Sequence, residues 1–364
     1  MEFTINADVL SRVLGLYNKT LGKVTSFPVL ENLLIEAKQN SIVAIGTDME
    51  LTLTQELNAD VKLQGSLLVP RKLLFDLLKI NNDSTAHFRL NDINNVLTLT
   101  LNSGVYTISC MDLVEFPKLT DKEHDKEMLI PFSKLKEYIK HTISFRGNDD
   151  LRPAMTGIYM HIVEDDMFMC CTNAHVLGLA STPNYAITNT TEGVTIPYKL
   201  ASLLLNLSPS SDIKLMYNSQ YIEFHISTLK VSARLIDSKY PNVFGILRKN
   251  SPIIVKVNKE ELIKGISSAG LLAESVQNQV QFNIENNQLI LSSQDLDFNR
   301  EAIIKLPCET NTEKFTIAFN INYLLLILNN IESPEIILNF DKSTSALQLT
   351  DGDYLYLQMP LKIS

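Results

Sequence analysis

One strand-to-helix phrase occurs three times in this chain, and that repetition constrains the fold more than any other feature of the sequence. It reads Ile5-Asn6-Ala7-Asp8-Val9-Leu10, then Ile130-Pro131-Phe132-Ser133-Lys134-Leu135, then Val257-Asn258-Lys259-Glu260-Glu261-Leu262, at spacings of 125 and 127 residues. A second phrase, Val69-Pro70-Arg71-Lys72-Leu73, returns as Ile196-Pro197-Tyr198-Lys199-Leu200 and Asn320-Ile321-Asn322-Tyr323-Leu324, at spacings of 127 and 124. A third, Gly46-Thr47-Asp48-Met49-Glu50, matches Cys171-Thr172-Asn173-Ala174-His175 at 125, with a weaker echo from Ser292 to Asp297. Short apolar phrases recur by chance, but a shared period is the mark of a repeated structural unit.

Each unit has the same local grammar. The first phrase opens a helix that Asp8 or Ser133 can cap, and Leu10, Val13, Leu14, Tyr17 and Leu21 follow the spacing of a buried helical face. The second phrase opens another helix, with proline at a tolerated first-turn position and an apolar stripe of Leu73, Leu74, Leu77 and Leu78. Alternating stretches such as Val96 to Leu101 and Tyr221 to Ile226 read as half-buried strands. The expected class is therefore α+β, with three similar domains of two helices packed on antiparallel sheet. The charged stretch Lys118 to Glu127 and the segment Arg248 to Pro252 are the expected linkers, giving domains 1–122, 128–247 and 251–364.

Composition narrows the function. A chain of 364 residues with 45% hydrophobic content can fill three cores, and no apolar run approaches membrane-spanning length, so a cytoplasmic protein with no membrane partner is expected. Cys170 and Cys171 are adjacent, and Cys110 and Cys308 stand apart, which makes neither a disulfide framework nor a CxxC pair. The formal charge of −9 argues against a surface that coats nucleic acid throughout, so any DNA-facing region must be local. No phosphate-binding GxxxxGK[ST], HExxH or GxSxG motif is present.

In six phrases the chain resembles the beta subunit of bacterial DNA polymerase III, the sliding clamp. These are Phe27 to Leu34, Gly46 to Glu50, Asp150 to Ile158, Leu235 to Pro241, Phe319 to Leu324 and Met359 to Lys362, in the family's order over essentially the whole length. The resemblance implies the DNA clamp fold: a ring-forming head-to-tail dimer with helices lining the hole and sheets outside. It also implies a processivity factor that encircles duplex DNA, slides without reading sequence and tethers the replicative polymerase. Such a protein is a non-catalytic accessory subunit that takes no cofactor. Its implied partners are double-stranded DNA, a second copy of the chain, the DNA polymerase III alpha subunit, an ATP-driven clamp loader, and other replication and repair proteins carrying clamp-binding peptides.

Three sets of residues follow from that resemblance. Ring closure is expected to place Tyr106 and Ile108 of the first domain against Leu271 and Leu272 of the third. With helices facing the hole, Arg12, Lys19, Lys23, Lys72, Lys136, Lys140, Arg146, Arg152 and Lys199 are the expected phosphate contacts. The peptide pocket is expected from Met155, Thr172, Ala174, His175, Val176, Leu177, Pro241, Ile246, Met359, Pro360 and Leu361, with Asn320 and Tyr323 at its edge. Apolar and methionine side chains can repack around different peptides while a few polar groups fix their orientation. Where the family commonly has Thr-Asp-Gly-His-Arg-Leu, this chain has Thr172-Asn173-Ala174-His175-Val176-Leu177, and Gly245 stands where an arginine is frequent.

Two rival readings are open to the residues alone. Cys170 and Cys171 followed by His175 resemble a thiol nucleophile with a base, or half a metal site, but the other histidines supply no paired spacing and no oriented base. A repeated strand-and-helix binding module that never closes into a ring explains the repeats and the acidic charge equally well.

Overall fold

The computed structural model describes residues 1–22, 27–91, 93–118, 123–163, 166–183, 193–209, 212–248 and 250–363. They form two compact units, one of Met1–Ser133 with Ser202–Leu235 and the other of Lys134–Ala201 with Ile236–Ser364. Six α-helices occur among the described residues: α1 (Ala7–Leu21), α2 (Arg71–Ile80), α3 (Phe132–Thr142), α4 (Tyr198–Leu205), α5 (Lys259–Gly270) and α6 (Ile321–Asn330). Helix α1 packs on α2 and α5 on α6. Two helices and antiparallel strands occur in each of the three repeats, as the α+β reading predicts.

The helices begin where the repeated phrases lie, but their caps differ from the expectation. Asn6, not Asp8, caps α1, its side chain accepting from the backbone N–H groups of Asp8 and Val9. Asn258 and Asn320 do the same for α5 and α6, while Ser133 lies inside α3. An asparagine just outside the helix can hold its carboxamide against the first unpaired N–H groups, which a residue already inside the helix cannot do. On α1 the buried face comprises Ala7, Leu10, Ser11, Leu14, Tyr17 and Leu21, with Val13 half-buried. On α2 the face is Arg71, Leu74 and Leu78, and Leu73 is turned out at 46% exposure. The helix rotates to bury Arg71, whose guanidinium donates to Asn18 Oδ1 at 2.9 Å and Gly22 O at 3.2 Å.

In the first unit an eight-stranded antiparallel sheet runs in the order Lys126–Ile130, Ile213–Tyr217, Tyr221–Ile226, Leu229–Arg234, Leu51–Asn58, Ser41–Thr47, Asn32–Ala37, Gly65–Pro70. Strands of the first and second repeats meet inside it, Val231 opposite Leu53. The second unit holds a nine-stranded sheet with an equivalent seam, where Val176–Ser181 pairs with Tyr354–Gln358 and Leu179 faces Leu355. The remaining sheets are shorter. One has five strands and ends on Gly104–Ser109; the other has four and ends on Arg300–Pro307. The expected linkers are partly built into structure: Lys126 and Glu127 pair with Tyr217 and Met216, and Arg248 N–H donates to Gln348 Oε1 at 3.2 Å. Residues 119–122 and Lys249 lie outside the described residues.

Close packing fixes the strand at the second seam. A Cβ added at Gly178 would lie 2.3 Å from Phe145, which is fully buried. Gly178→Ala is therefore expected to cost about 2 kcal/mol through overpacking, read as a lowered midpoint in chemical denaturation; Phe145→Leu in the same chain should recover part of that loss.

Candidate peptide-binding site and nucleic-acid interface

The residues expected to form the pocket all fall in the second unit, and local hydrogen bonding holds the hairpin and the chain end that carry most of them. The hairpin joining Asp166–Thr172 to Val176–Ser181 turns on Asn173, whose Oδ1 accepts from the N–H groups of His175 and Val176 at 2.9 and 3.0 Å. Thr172 Oγ1 donates to Val176 O at 2.8 Å and accepts from Ala174 N–H at 3.1 Å. Ala174 sits at φ 76°, left-handed backbone that a glycine adopts without a steric cost. This explains what the glycine of the commoner pattern does and what its replacement costs.

The chain end is stitched to this hairpin. Met359 N–H donates to His175 O, and Leu361 N–H to Ala318 O, both at 2.8 Å. Gln358 Nε2 donates to Asn320 O at 2.8 Å, and the His175 ring stacks on Tyr323 at 6.1 Å and 11°. Beneath lies one apolar cluster that includes Ala154, Phe168, Cys170, Leu177, Tyr240, Val243 and Leu357. It joins the segments carrying Met155, Ala174, Pro241, Ile246 and Met359.

Thr172, Val176 and Leu177 are buried and form floor; Ala174, His175, Ile246 and Met359 are exposed, and Met155, Pro241, Asn320, Tyr323, Pro360 and Leu361 are half-buried. Met359 leaves 43% of its surface free. The chemistry of this set is that of an apolar lip on a hydrogen-bonded frame.

Sequence reasoning missed the polar network behind the lip. His141 of α3 is buried, stacks on Tyr354 at 3.8 Å and meets the Tyr356 hydroxyl through Nδ1 at 3.0 Å. Tyr138 donates to Asp353 at 3.0 Å, and Tyr354 donates to Glu137. The only sequence signal was aromatic enrichment in Tyr354-Leu355-Tyr356, which does not name its partners.

The thiols do not form a reactive centre. Cys170 and Cys171 are completely buried, and desolvation pushes both well above the ordinary thiol range. Cys110 is pushed up to about 11 for the same reason. Neutral thiols of this kind are poor nucleophiles.

Among the expected phosphate contacts, Arg12, Lys19, Lys72, Lys140 and Arg152 are exposed, and Lys136, Arg146 and Lys199 are half-buried. Arg12 pairs with Asp8 and Arg152 with Asp149. Arg146 lies over the Tyr198 ring at 3.8 Å. Lys23 lies outside the described residues. At the expected closure residues, Leu271 is 80% exposed and Leu272 half-buried, Tyr106 is half-buried on the outermost strand, and Ile108 is buried in its own core.

Three family models cover nearly the whole chain: the DNA polymerase III beta subunit N-terminal domain at residues 1–120, the central domain at 129–242 and the C-terminal domain at 245–362. The chain belongs to the DNA polymerase III beta subunit family. A beta sliding clamp of Synechococcus elongatus is 25% identical, with both chains fully covered. The crystal structure of the DNA polymerase III subunit beta from Pseudomonas aeruginosa superposes with a TM-score of 0.92 at 22% identity, again over both whole chains. A sliding clamp from Bartonella birtlesii, solved bound to griselimycin, gives 0.90 at 21% and also covers both chains fully. This is a family of non-catalytic processivity factors, so the thiol-enzyme reading is discarded.

Burial, and then the charge of Lys140, hold the His141 imidazole below its ordinary pKa, against the opposing pull of Glu137, Glu332 and Asp351. A depressed folded pKa means that stability is fully present above the ordinary imidazole value of about 6.5 and is lost as pH falls through the folded value. His141→Phe is expected to flatten the fall in denaturation midpoint as pH drops below about 6.5 relative to wild type; parallel curves would mean His141 does not titrate there.

Proposed function

We propose that two copies of this chain close head to tail into a ring around duplex DNA and that the lip at Met359 receives the clamp-binding peptides of its partners. The observation that carries ring closure is the incomplete strand ladder. Consecutive repeats join through a strand-paired seam, Leu51–Asn58 with Leu229–Arg234 and Val176–Ser181 with Tyr354–Gln358. The corresponding strands of the outer repeats, Arg300–Pro307 and Gly104–Ser109, end the four- and five-stranded sheets. Pairing the one with the other in a second copy makes a nine-stranded sheet and satisfies both open edges. Leu271, 80% exposed, and Tyr106, half-buried on the outermost strand, then belong to that junction.

Within such a ring the exposed cations of α1, α2 and α3 supply phosphate attraction without base readout, a weak and salt-screened regime that lets the clamp slide. Retention then comes from topology. The partners proposed for the lip are the alpha subunit of DNA polymerase III, the clamp loader that opens the ring, and replication and repair proteins with the same apolar peptide. The solved clamp with griselimycin bound supports a ligand-taking surface in this family. The domains proposed are 1–122, 128–247 and 251–364; three family models in the same order, over 1–120, 129–242 and 245–362, support a division into three.

Met359→Ala with Leu361→Ala should weaken a clamp-binding peptide at least tenfold, about 1.4 kcal/mol or more, in fluorescence polarisation, with the dimer intact; superimposable titrations would remove the lip from the site. Lys136→Glu with Lys140→Glu should lower the amount of protein retained on circular DNA and flatten its salt dependence, since fewer counterions are released. Unchanged retention would exclude those two side chains from phosphate contact.

A further inference from the structure

The frame beneath the peptide lip exists a second time, in the first unit, with different charge. Thr47 and Asp48 repeat the hydrogen bonds of Thr172 and Asn173. Thr47 Oγ1 donates to Leu51 O at 3.0 Å and accepts from Met49 N–H at 3.1 Å, while Asp48 Oδ1 accepts from Glu50 and Leu51 N–H at 3.2 and 2.8 Å. Met49 takes φ 76°, the value Ala174 has.

The floor matches too. Val29, Leu34, Val43 and Ile45 of one buried cluster stand 125 residues before Ala154, Tyr159, Phe168 and Cys170 of the other. Met111, Leu68, Leu34 and Ile45 are consecutive cross-strand partners and so share one face. Phe116 closes the floor after a short 3-10 turn at Leu113–Glu115, as Leu247 follows Phe244–Ile246.

Over this floor the first unit exposes more apolar surface than the second. Phe27 and Met49 are each 61% exposed, Val114 90% and Leu113 42%. The two surfaces differ in charge. Residues 27–34, 47–51 and 111–118 carry Glu31, Asp48, Glu50, Asp112 and Glu115 against the single cation Lys118. The stretches that match at the same spacings, 152–159, 172–176 and 242–249, carry no Asp or Glu and hold Arg152, Arg248 and Lys249.

We propose that the Phe27, Met49 and Leu113 surface is a second docking site on each chain, for a partner peptide with apolar anchors flanked by lysine or arginine. An extended segment would set its anchors on the methionine and phenylalanine and its cations against the rim carboxylates. The proposal borrows the peptide-lip reading as its template, so the test separates the two.

The probes are two fluorescein-labelled peptides with one Leu-Phe-Leu core, flanked by lysines in the first and glutamates in the second. They are titrated against the full chain, Met49→Ser with Leu113→Ser, and Met359→Ala with Leu361→Ala. The lysine-flanked peptide should bind the wild type and the Met359/Leu361 variant alike, and lose at least tenfold on the Met49/Leu113 variant. It should also outbind the glutamate-flanked peptide on the Met359/Leu361 variant. In the wild type, hydrogen exchange with the lysine-flanked peptide bound should slow at residues 27–34, 47–51 and 111–116.

Indifference of the lysine-flanked peptide to Met49→Ser with Leu113→Ser, or protection elsewhere, overturns the second site. Failure of the lip is read separately, from a clamp-binding peptide that ignores Met359→Ala with Leu361→Ala.

Discussion

Open strand edges are the constraint on which this structure turns. A strand with one unpaired row of N–H and C=O groups invites another strand, and repeated folds must cover or pair such edges. This chain pairs two of them internally, at Leu53 against Val231 and at Leu179 against Leu355. The ends of the array, Gly104–Ser109 and Arg300–Pro307, have no partner strand on their outer sides among the described residues. Ring formation, topological hold on DNA and a surface free to receive peptides all follow from solving the edge problem with a second copy.

Function is distributed over that frame and has no chemical centre. The adjacent thiols Cys170 and Cys171 are buried and neutral, and the exposed cations are scattered over helices of a chain whose total charge is −9. Scattered cations on a globally acidic protein suit weak, salt-screened attraction to DNA. The hairpin at Asn173 is held by local hydrogen bonds. There backbone hydrogen bonds to Asn173, Thr172 and His175 fix an apolar edge in place, and Ala174 holds left-handed backbone to do so.

Much of this was legible in the sequence because repetition is legible. The third phrase, weakest as a string, was the most informative: Thr47 and Thr172 make the same two hydrogen bonds, and Met49 and Ala174 share one backbone angle. The strands Val96–Leu101 and Tyr221–Ile226 fall where alternation placed them. Helix caps were misplaced because Asp8 and Asn6 are both good capping residues, and the helix start decides between them. Periodicity puts Leu73 in the buried stripe because it cannot foresee that Arg71 is buried in its stead, bonded to Asn18 and to the Gly22 carbonyl. The pairing of His141 with Tyr354 and Tyr356 joins residues more than two hundred positions apart, which no local pattern encodes.

The central claim is that two chains close on their open edges. Its most direct test is the solution mass, by light scattering coupled to size exclusion, of the wild type beside Ile303→Glu, which places a charge at an exposed position of the outermost strand. The wild type should run as a dimer and the variant as a monomer. A wild-type monomer, or a dimer that the substitution leaves untouched, would contradict it.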